Sequence, residues 1–177
     1  VAPNWKLVWW RFKKHRLALV SAFVLLGIIL IALFPDFFSI QDPNKSSARK
    51  SFMPPQGISF FHDGSFQVHV KPLKGKRNKT TLKMEWGVDE KRILPLHFFT
   101  SGYEYEVFGL FKTDLHLFGI EKPSARNSFH LLGTDRLGRD QWSRLMHGTQ
   151  VSLSIGLVAV GLSIFLGILL GGISGYY

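Results

Sequence analysis

The chain has no cysteine, which excludes a cysteine-ligated metal site and leaves the compartment undecided, since an oxidising exterior and a reducing cytosol suit such a chain equally. Its histidines at 62, 69, 97, 116, 130 and 147 never fall at helical metal-ligand spacing, so no metal site is expected. A nucleophile elbow, a phosphate loop and a paired-carboxylate signature are all missing. The one glycine-rich candidate, Gly133 to Arg139 (GTDRLGR), lacks the Gly-Lys-Ser/Thr ending that cradles phosphate. Nothing in these absences argues for catalysis. Acidic residues are missing before Leu17, and charge of either sign is missing from the last stretch, residues 149–177.

What is present is two long apolar runs inside a basic, polar chain with a formal charge of +10. Leu17 to Phe34 holds about 18 uncharged residues and spans roughly 27 Å as a helix, close to the hydrocarbon thickness of a bilayer. A secretory signal peptide competes, given the basic start. Its core would be shorter and a small-residue cleavage site should follow, whereas Phe34-Pro35-Asp36-Phe37-Phe38 is bulky. An uncleaved anchor is the reading, with the first membrane helix over 17–40. The second run, 149–177, is long enough to be a second membrane helix.

Lys6, Arg11, Lys13, Lys14 and Arg16 keep residues 1–16 in the cytoplasm. The intervening loop is also basic, with 17 Lys and Arg against 12 acids, but loops of about 110 residues cross membranes largely regardless of charge. The expected topology is N-terminus inside, 41–148 outside and Tyr177 back at the cytoplasmic face. The densest basic cluster, 71–83 (KPLKGKRNKTTLK), has no interleaved aromatics. A solvated hairpin tip or a patch near anionic headgroups fits it better than nucleic acid.

Residues 41–128 read as a small β-rich external domain of roughly five strands. Phe66, Val68 and Val70 alternate after the Asp63-Gly64 turn signal. Leu82, Met84 and Trp86 alternate likewise, followed by Ile93 to Phe99, then Tyr103, Tyr105 and Val107, then Leu115 to Ile120. Its phenylalanines at 60, 61, 98, 99, 108, 111 and 118 are expected to pack the core in preference to forming a ligand surface. So small a domain has a thin core and leans on a neighbour.

In the second run Ser163, Gly167, Gly171 and Gly175 recur every four residues and line one helix side, with Ser152 and Gly156 at the same spacing earlier. Lipid supplies no hydrophobic drive for helix association, so a small-residue stripe implies a closely packed partner helix. Ser21 and Gly27 of the first span offer little in return, so further helices are expected from the rest of the polypeptide or from other subunits.

The segment 129–148 joins domain to span and reads as an amphipathic, gate-side element. Thr134 suits a helix N-cap, and Arg136, Asp140 and Arg144 are spaced to ladder along one helix face. Exposed pairs of this kind contribute only about 0.3–0.5 kcal/mol, so orientation is their more plausible role. Trp142 falls where an interfacial indole is comfortable.

His130 to Leu157 resembles the segment before the second membrane span in C-type permease subunits of dipeptide and oligopeptide ABC importers. Gly133, Thr134, Asp135, Gly138, Arg139, Asp140, Ser143, Arg144, Gly148, Ser152, Leu153 and Gly156 fall on the family pattern. The basic stretch from Trp9 or Trp10 through Arg16 is similar to the family's N-terminus. Ser51 to Gln56 and Phe108 to Gly119 resemble the larger external domain of one branch. The family usually has proline where Leu131 stands and commonly arginine where Gln150 stands, and the changed charge bears on contact with the binding protein.

The resemblance implies a membrane α-helical permease of six helices, two of them here, with an inserted β-rich extracytoplasmic domain. It implies a non-enzymatic half of a translocation pathway in a bacterial inner membrane. The partners implied are a homologous second permease subunit, two cytoplasmic ATPase subunits that carry ATP and Mg, and an external peptide-binding protein; this chain itself would bind no cofactor. The start at Val1, the end inside Gly175-Tyr176-Tyr177 and the lack of a coupling loop mark the chain as an N-terminal piece. Two alternatives share its features: a complete two-span protein with an external sensor domain, and a membrane-anchored enzyme, which no catalytic constellation supports.

Overall fold

The computed structural model describes residues 3–62, 64–80, 84–90, 92–121, 124 and 127–177. Two long apolar helices flank a β-rich region. The short helix α1 (Asn4–Lys14) ends in a basic turn, with Lys13 over the ring of Trp9, and the extended backbone of His15 interrupts the helix. His15 then caps α2 (Arg16–Leu33), its Nδ1 accepting the Ala18 N–H at 3.0 Å. The apolar helix stops at Leu33 because Phe34 precedes proline, which disfavours helical backbone there. Pro35 then starts a single turn, α3 (Pro35–Phe38), as proline does best at a first helical position.

The β region contains six described strands where five were expected. They are β1 (Ile58–His62), β2 (Ser65–Val70), β3 (Leu73–Arg77), β4 (Met84–Val88), β5 (Leu94–Val107) and β6 (Phe111–Ile120). Strands β1-β2-β5-β6 form an antiparallel sheet, and β3-β4 is a separate hairpin. The runs at 93–99 and 103–107, read as two strands, are one. Between them, Ser101-Gly102 lies where the β5–β6 register shifts, between Ser101 and Tyr105, as a bulge permits without ending the strand. The basic cluster supplies β3, and Asp63 and residues 81–83, the end of that cluster, lie outside the described residues.

The core is thin. Val70, Leu94, Leu96, Ile120 and Phe129 are buried together, with Ile40, Val68, Phe118 and Leu131 packed around them. The expectation that the phenylalanines fill this core fails for most of them: Phe60, Phe61, Phe98, Phe99, Phe108 and Phe111 are all exposed, and only Phe118 packs inward. One sheet has one buried face, and that face is already filled at the end where Ile40 and Phe129 cover it.

The helix α4 (Gln141–Tyr176) runs unbroken for 36 residues from the polar junction through the second apolar run. Both α2 and α4 are long and apolar enough to cross a membrane, and neither buries its apolar window within the chain.

Candidate functional site: the junction of the two spans

The residues 36–56, which follow the first span, wrap the segment 129–147, which leads into the second. Asp140 is the hinge of this contact. It caps α4, with Oδ2 accepting the Ser143 N–H at 2.8 Å and the Ser143 hydroxyl at 2.7 Å. Its Oδ1 lies 2.8 Å from Nδ1 of His130, in a pair with side-chain exposures of 0% and 1%. The other ring nitrogen faces the Gln41 amide at 3.4 Å, an arrangement satisfied by a ring protonated at Nδ1. Burial of two ionisable groups is tolerated because every polar atom of the pair has a partner.

Ser143 uses its whole hydrogen-bonding capacity here. While donating to Asp140, its Oγ accepts the backbone N–H groups of Ile40 at 3.1 Å and Gln41 at 3.0 Å. The chain leaving the first span is thereby fastened to the first turn of α4. Trp142 adds to it, its indole N–H donating to the Phe38 carbonyl at 2.8 Å and its ring packed edge-on to Phe118.

A second set of contacts holds 47–56. Thr134 Oγ1 donates to the Lys50 carbonyl and accepts the Met53 N–H at 2.9 Å, and the Thr134 N–H donates to the Met53 carbonyl at 2.9 Å. Gln56 exchanges hydrogen bonds with the backbone of His130. Gly133 and Gly138 have φ of +75° and +72°, and a Cβ would collide with the Met53 carbonyl at the first and the Ser47 carbonyl at the second. Only glycine satisfies both the left-handed backbone and the close approach.

Asp135 organises the turn before the cap. Oδ1 accepts the N–H groups of Leu137 and Arg139, and Oδ2 meets the guanidinium groups of Arg139 at 2.8 Å and Arg144 at 2.9 Å. The carboxyl is held below the usual aspartate range. Its partial desolvation acts the other way and is outweighed by the Arg139 N–H, the Arg139 side chain and the Leu137 N–H.

Two sequence readings are corrected by this geometry. Thr134 is not an N-cap; the cap is Asp140, because α4 starts at Gln141 and Thr134 instead bridges to Asp140 in an extended pairing. The Arg136–Asp140–Arg144 ladder does not form. Residues 135–140 are a turn, not a helix, so Asp135 takes Arg139 and Arg144, Asp140 turns inward to His130, and Arg136 offers its carbonyl to Ser51.

Sequence reading missed Asp36, Gln41 and Gln56 on the first-span side and Tyr103 in β5. The Asp36 carboxylate accepts from the Tyr103 hydroxyl at 2.8 Å and meets His147 Nε2 at 3.2 Å, tying α3, β5 and α4 together. Burial, then the hydrogen bond and charge of Asp36, push the Tyr103 phenol pKa upward. His116 sits inside the same knot, 2.8 Å from the Asp36 carbonyl and 3.1 Å from that of Tyr103. A polar residue, Asp36, right after an apolar run was the available signal, but its partners lie 67 and 111 positions away.

Of the remaining expected positions, Gly148, Ser152, Gly156, Ser163, Gly167, Gly171 and Gly175 are all exposed on α4. A Cβ at any of these glycines would meet nothing within 4 Å. Beside the junction, the β3–β4 hairpin and residues 40–53 enclose a solvent-connected cleft of about 1080 Å³ whose lining includes Lys45, Arg49, Lys50, Lys74 and Trp86. No group of His, Asp or Glu placed to hold a metal occurs among the described residues.

Residues 4–55 match the family model described as the N-terminal TM domain of oligopeptide transport permease C. Among curated proteins, the chain is similar to the di/tripeptide transport system permease protein of Pseudomonas aeruginosa, 59% identical over 46 residues, which is 26% of this chain and 15% of that protein. It is also similar to the dipeptide transport system permease protein of Haemophilus influenzae, 51% identical over 51 residues, 29% of this chain and 17% of that one. The glutathione transport system permease protein of Pectobacterium atrosepticum is 45% identical over 51 residues, with the same coverage, 29% and 17%. The matched parts span less than a fifth of these relatives' length. No solved structure matches the chain.

Proposed function

Because its residues 4–55 match the family model described as the N-terminal TM domain of oligopeptide transport permease C, we propose that this chain forms the outer part of one permease subunit in an ATP-driven peptide importer. The observation that carries the reading is the physical union of two regions. The family-matched residues 36–55 are hydrogen-bonded through Ser143 and Thr134 to the segment that resembles the permease pattern.

In this reading residues 1–16 lie in the cytoplasm, the apolar runs within 17–40 (ending at Phe34) and 149–177 cross the inner membrane, and 41–128 form an external domain joined to the second span by 129–148. The stripe of Ser152, Gly156, Ser163, Gly167, Gly171 and Gly175 receives helices of the same subunit or of a homologous second permease. ATP and Mg belong to two cytoplasmic ATPase subunits, and an external binding protein delivers the peptide. The chain's own task is mechanical. Fastening the outer ends of the two spans to each other and to the sheet makes them one body, so a change of orientation in one helix carries the other and the external domain with it.

The test is ATP-dependent uptake of labelled dipeptides, tripeptides and longer peptides in cells lacking the full-length subunit, with and without its return. Loss of uptake that the returned gene restores is the expected result. Undiminished uptake of every peptide class in the deleted cells rejects the proposal.

A further inference from the structure

The β5–β6 hairpin ends in an apolar tip that touches the outer end of the first span. Val107 and Phe111 pair across the strands, and the Leu110 N–H donates to the Val107 carbonyl at 3.0 Å to close the turn. Phe108 and Gly109 both have positive φ, +51° and +69°, as in a type I′ turn. Such a turn normally takes asparagine, aspartate or glycine at its first central position, and a bulky aromatic there is strained. Among the described residues only Phe34 touches this tip, and Phe108, Leu110 and Phe111 are 65%, 75% and 71% exposed. A strained, exposed phenylalanine flanked by leucine and phenylalanine is an unfavourable tip for a hairpin that ends in water.

The location gives the reason. The Phe108 ring lies 5.5 Å from that of Phe34, edge to face, and Phe34 is the residue at which α2 ends. The side chains of α2 leading up to it, among them Leu26, Leu30 and Leu33, are exposed and require lipid around them. The hairpin tip therefore continues an apolar, lipid-requiring surface at the level where aromatic rings favour the membrane interface.

We propose that the tip formed by Phe108, Gly109, Leu110 and Phe111 is an interfacial membrane anchor that inserts into the outer leaflet beside the first span. Insertion is shallow. Glu106 and Lys112 pair at 3.8 Å one residue behind the tip, with side chains 55% and 77% exposed, and stop in the headgroup layer where the lysine meets lipid phosphate. A depth of about 5–10 Å, typical of interfacial elements, is the upper bound. The anchor fixes the tilt of the external sheet relative to the bilayer. This rests on α2 spanning the membrane and is independent of what the protein transports.

The experiment is spin-label accessibility in the full-length subunit, within its assembled complex, in vesicles of phosphatidylethanolamine and phosphatidylglycerol. Single cysteines are placed at Leu110, at Leu25 in α2 and at Lys79 on the basic hairpin, in a cysteine-free background, and probed with oxygen and with a water-soluble nickel chelate. Leu110 is already exposed, so the label costs no packing. The expected result is oxygen-rich, nickel-poor collision at Leu110, approaching Leu25 and opposite to Lys79. Nickel access at Leu110 equal to that at Lys79 places the tip in water and overturns the anchor. Poor access to both reagents means that another protein covers the tip, which also overturns it. A water-like Leu25 removes the spanning premise and the anchor with it, a failure separable from any result on transport.

Discussion

The Ser143 hydroxyl accepts the Gln41 backbone N–H at 3.0 Å, joining residues 102 positions apart across the outer ends of the two apolar helices. With Ile40 bound to the same oxygen, one side chain satisfies two backbone donors that have left α3 and not yet reached a strand. Ser143→Ala is therefore expected to destabilise the junction by about 1–3 kcal/mol, the penalty for leaving a shielded donor unmet. Hydrogen exchange should speed up at Ile40 and Gln41 and stay unchanged at Val70 and Leu96. Uniform acceleration throughout the sheet would contradict a local role.

Asp140→Ala removes both the cap of α4 and the partner of His130. Loss of the cap costs about 1 kcal/mol and an unmet, buried His130 ring about 1–3 kcal/mol more. Thermal unfolding of the detergent-solubilised subunit should show the combined loss. The double variant with His130→Leu should cost less than the sum of the two single changes, because their effects share one interaction.

Gly138→Ala and Gly156→Ala separate two uses of glycine. At 138 the added methyl meets the Ser47 carbonyl in a left-handed backbone, so the loss should exceed the roughly 1–2 kcal/mol of backbone strain alone. At 156 the methyl meets nothing in this chain, and stability should be unchanged or slightly improved by helix propensity. If the stripe seats another helix, Gly167→Ile should instead reduce recovery of the second permease subunit in pull-down from membranes. Unchanged recovery, together with unchanged thermal stability of the full-length subunit, would argue that the stripe is lipid-facing, whereas unchanged recovery with lowered stability would place the partner helix in the same subunit.

Acid should loosen the turn at Asp135. Its folded pKa lies below the unfolded value of 3.8, so its contribution is fully present above about pH 3.8 and is lost as pH falls through the lower folded value. Arg139→Gln raises the folded pKa toward 3.8 and removes part of that contribution, so the acid-unfolding midpoint should move to higher pH. An identical midpoint in the variant and the parent would refute the assigned partner. The charge reversal Arg139→Glu should go further and reduce assembly or uptake at normal expression.

Local patterns were legible because each depends on residues close in sequence. Two uncharged runs of membrane length, a basic flank without acids, period-two alternation in 65–70 and glycines at fourfold spacing all announce themselves within a window of one element. The family-like run from Gly133 to Arg144 also drew attention to a segment that the fold ties to residues 36–56, although its internal pairing was misread. The ladder assumed helix at residues 135–140, and a spacing rule holds only if the helix is there.

What the chain by itself determined, then, was that two apolar helices of membrane length flank a β-rich region. Tertiary structure alone decided that Asp140 faces His130, that Asp36 binds Tyr103 and His147, and that residues 40–41 end on Ser143. It also decided that most of the phenylalanines remain outside a core already filled by Ile40 and Phe129. Most of these outcomes hang on partners between 67 and 111 positions apart, and a polar or aromatic side chain carries no local sign of which group will satisfy it.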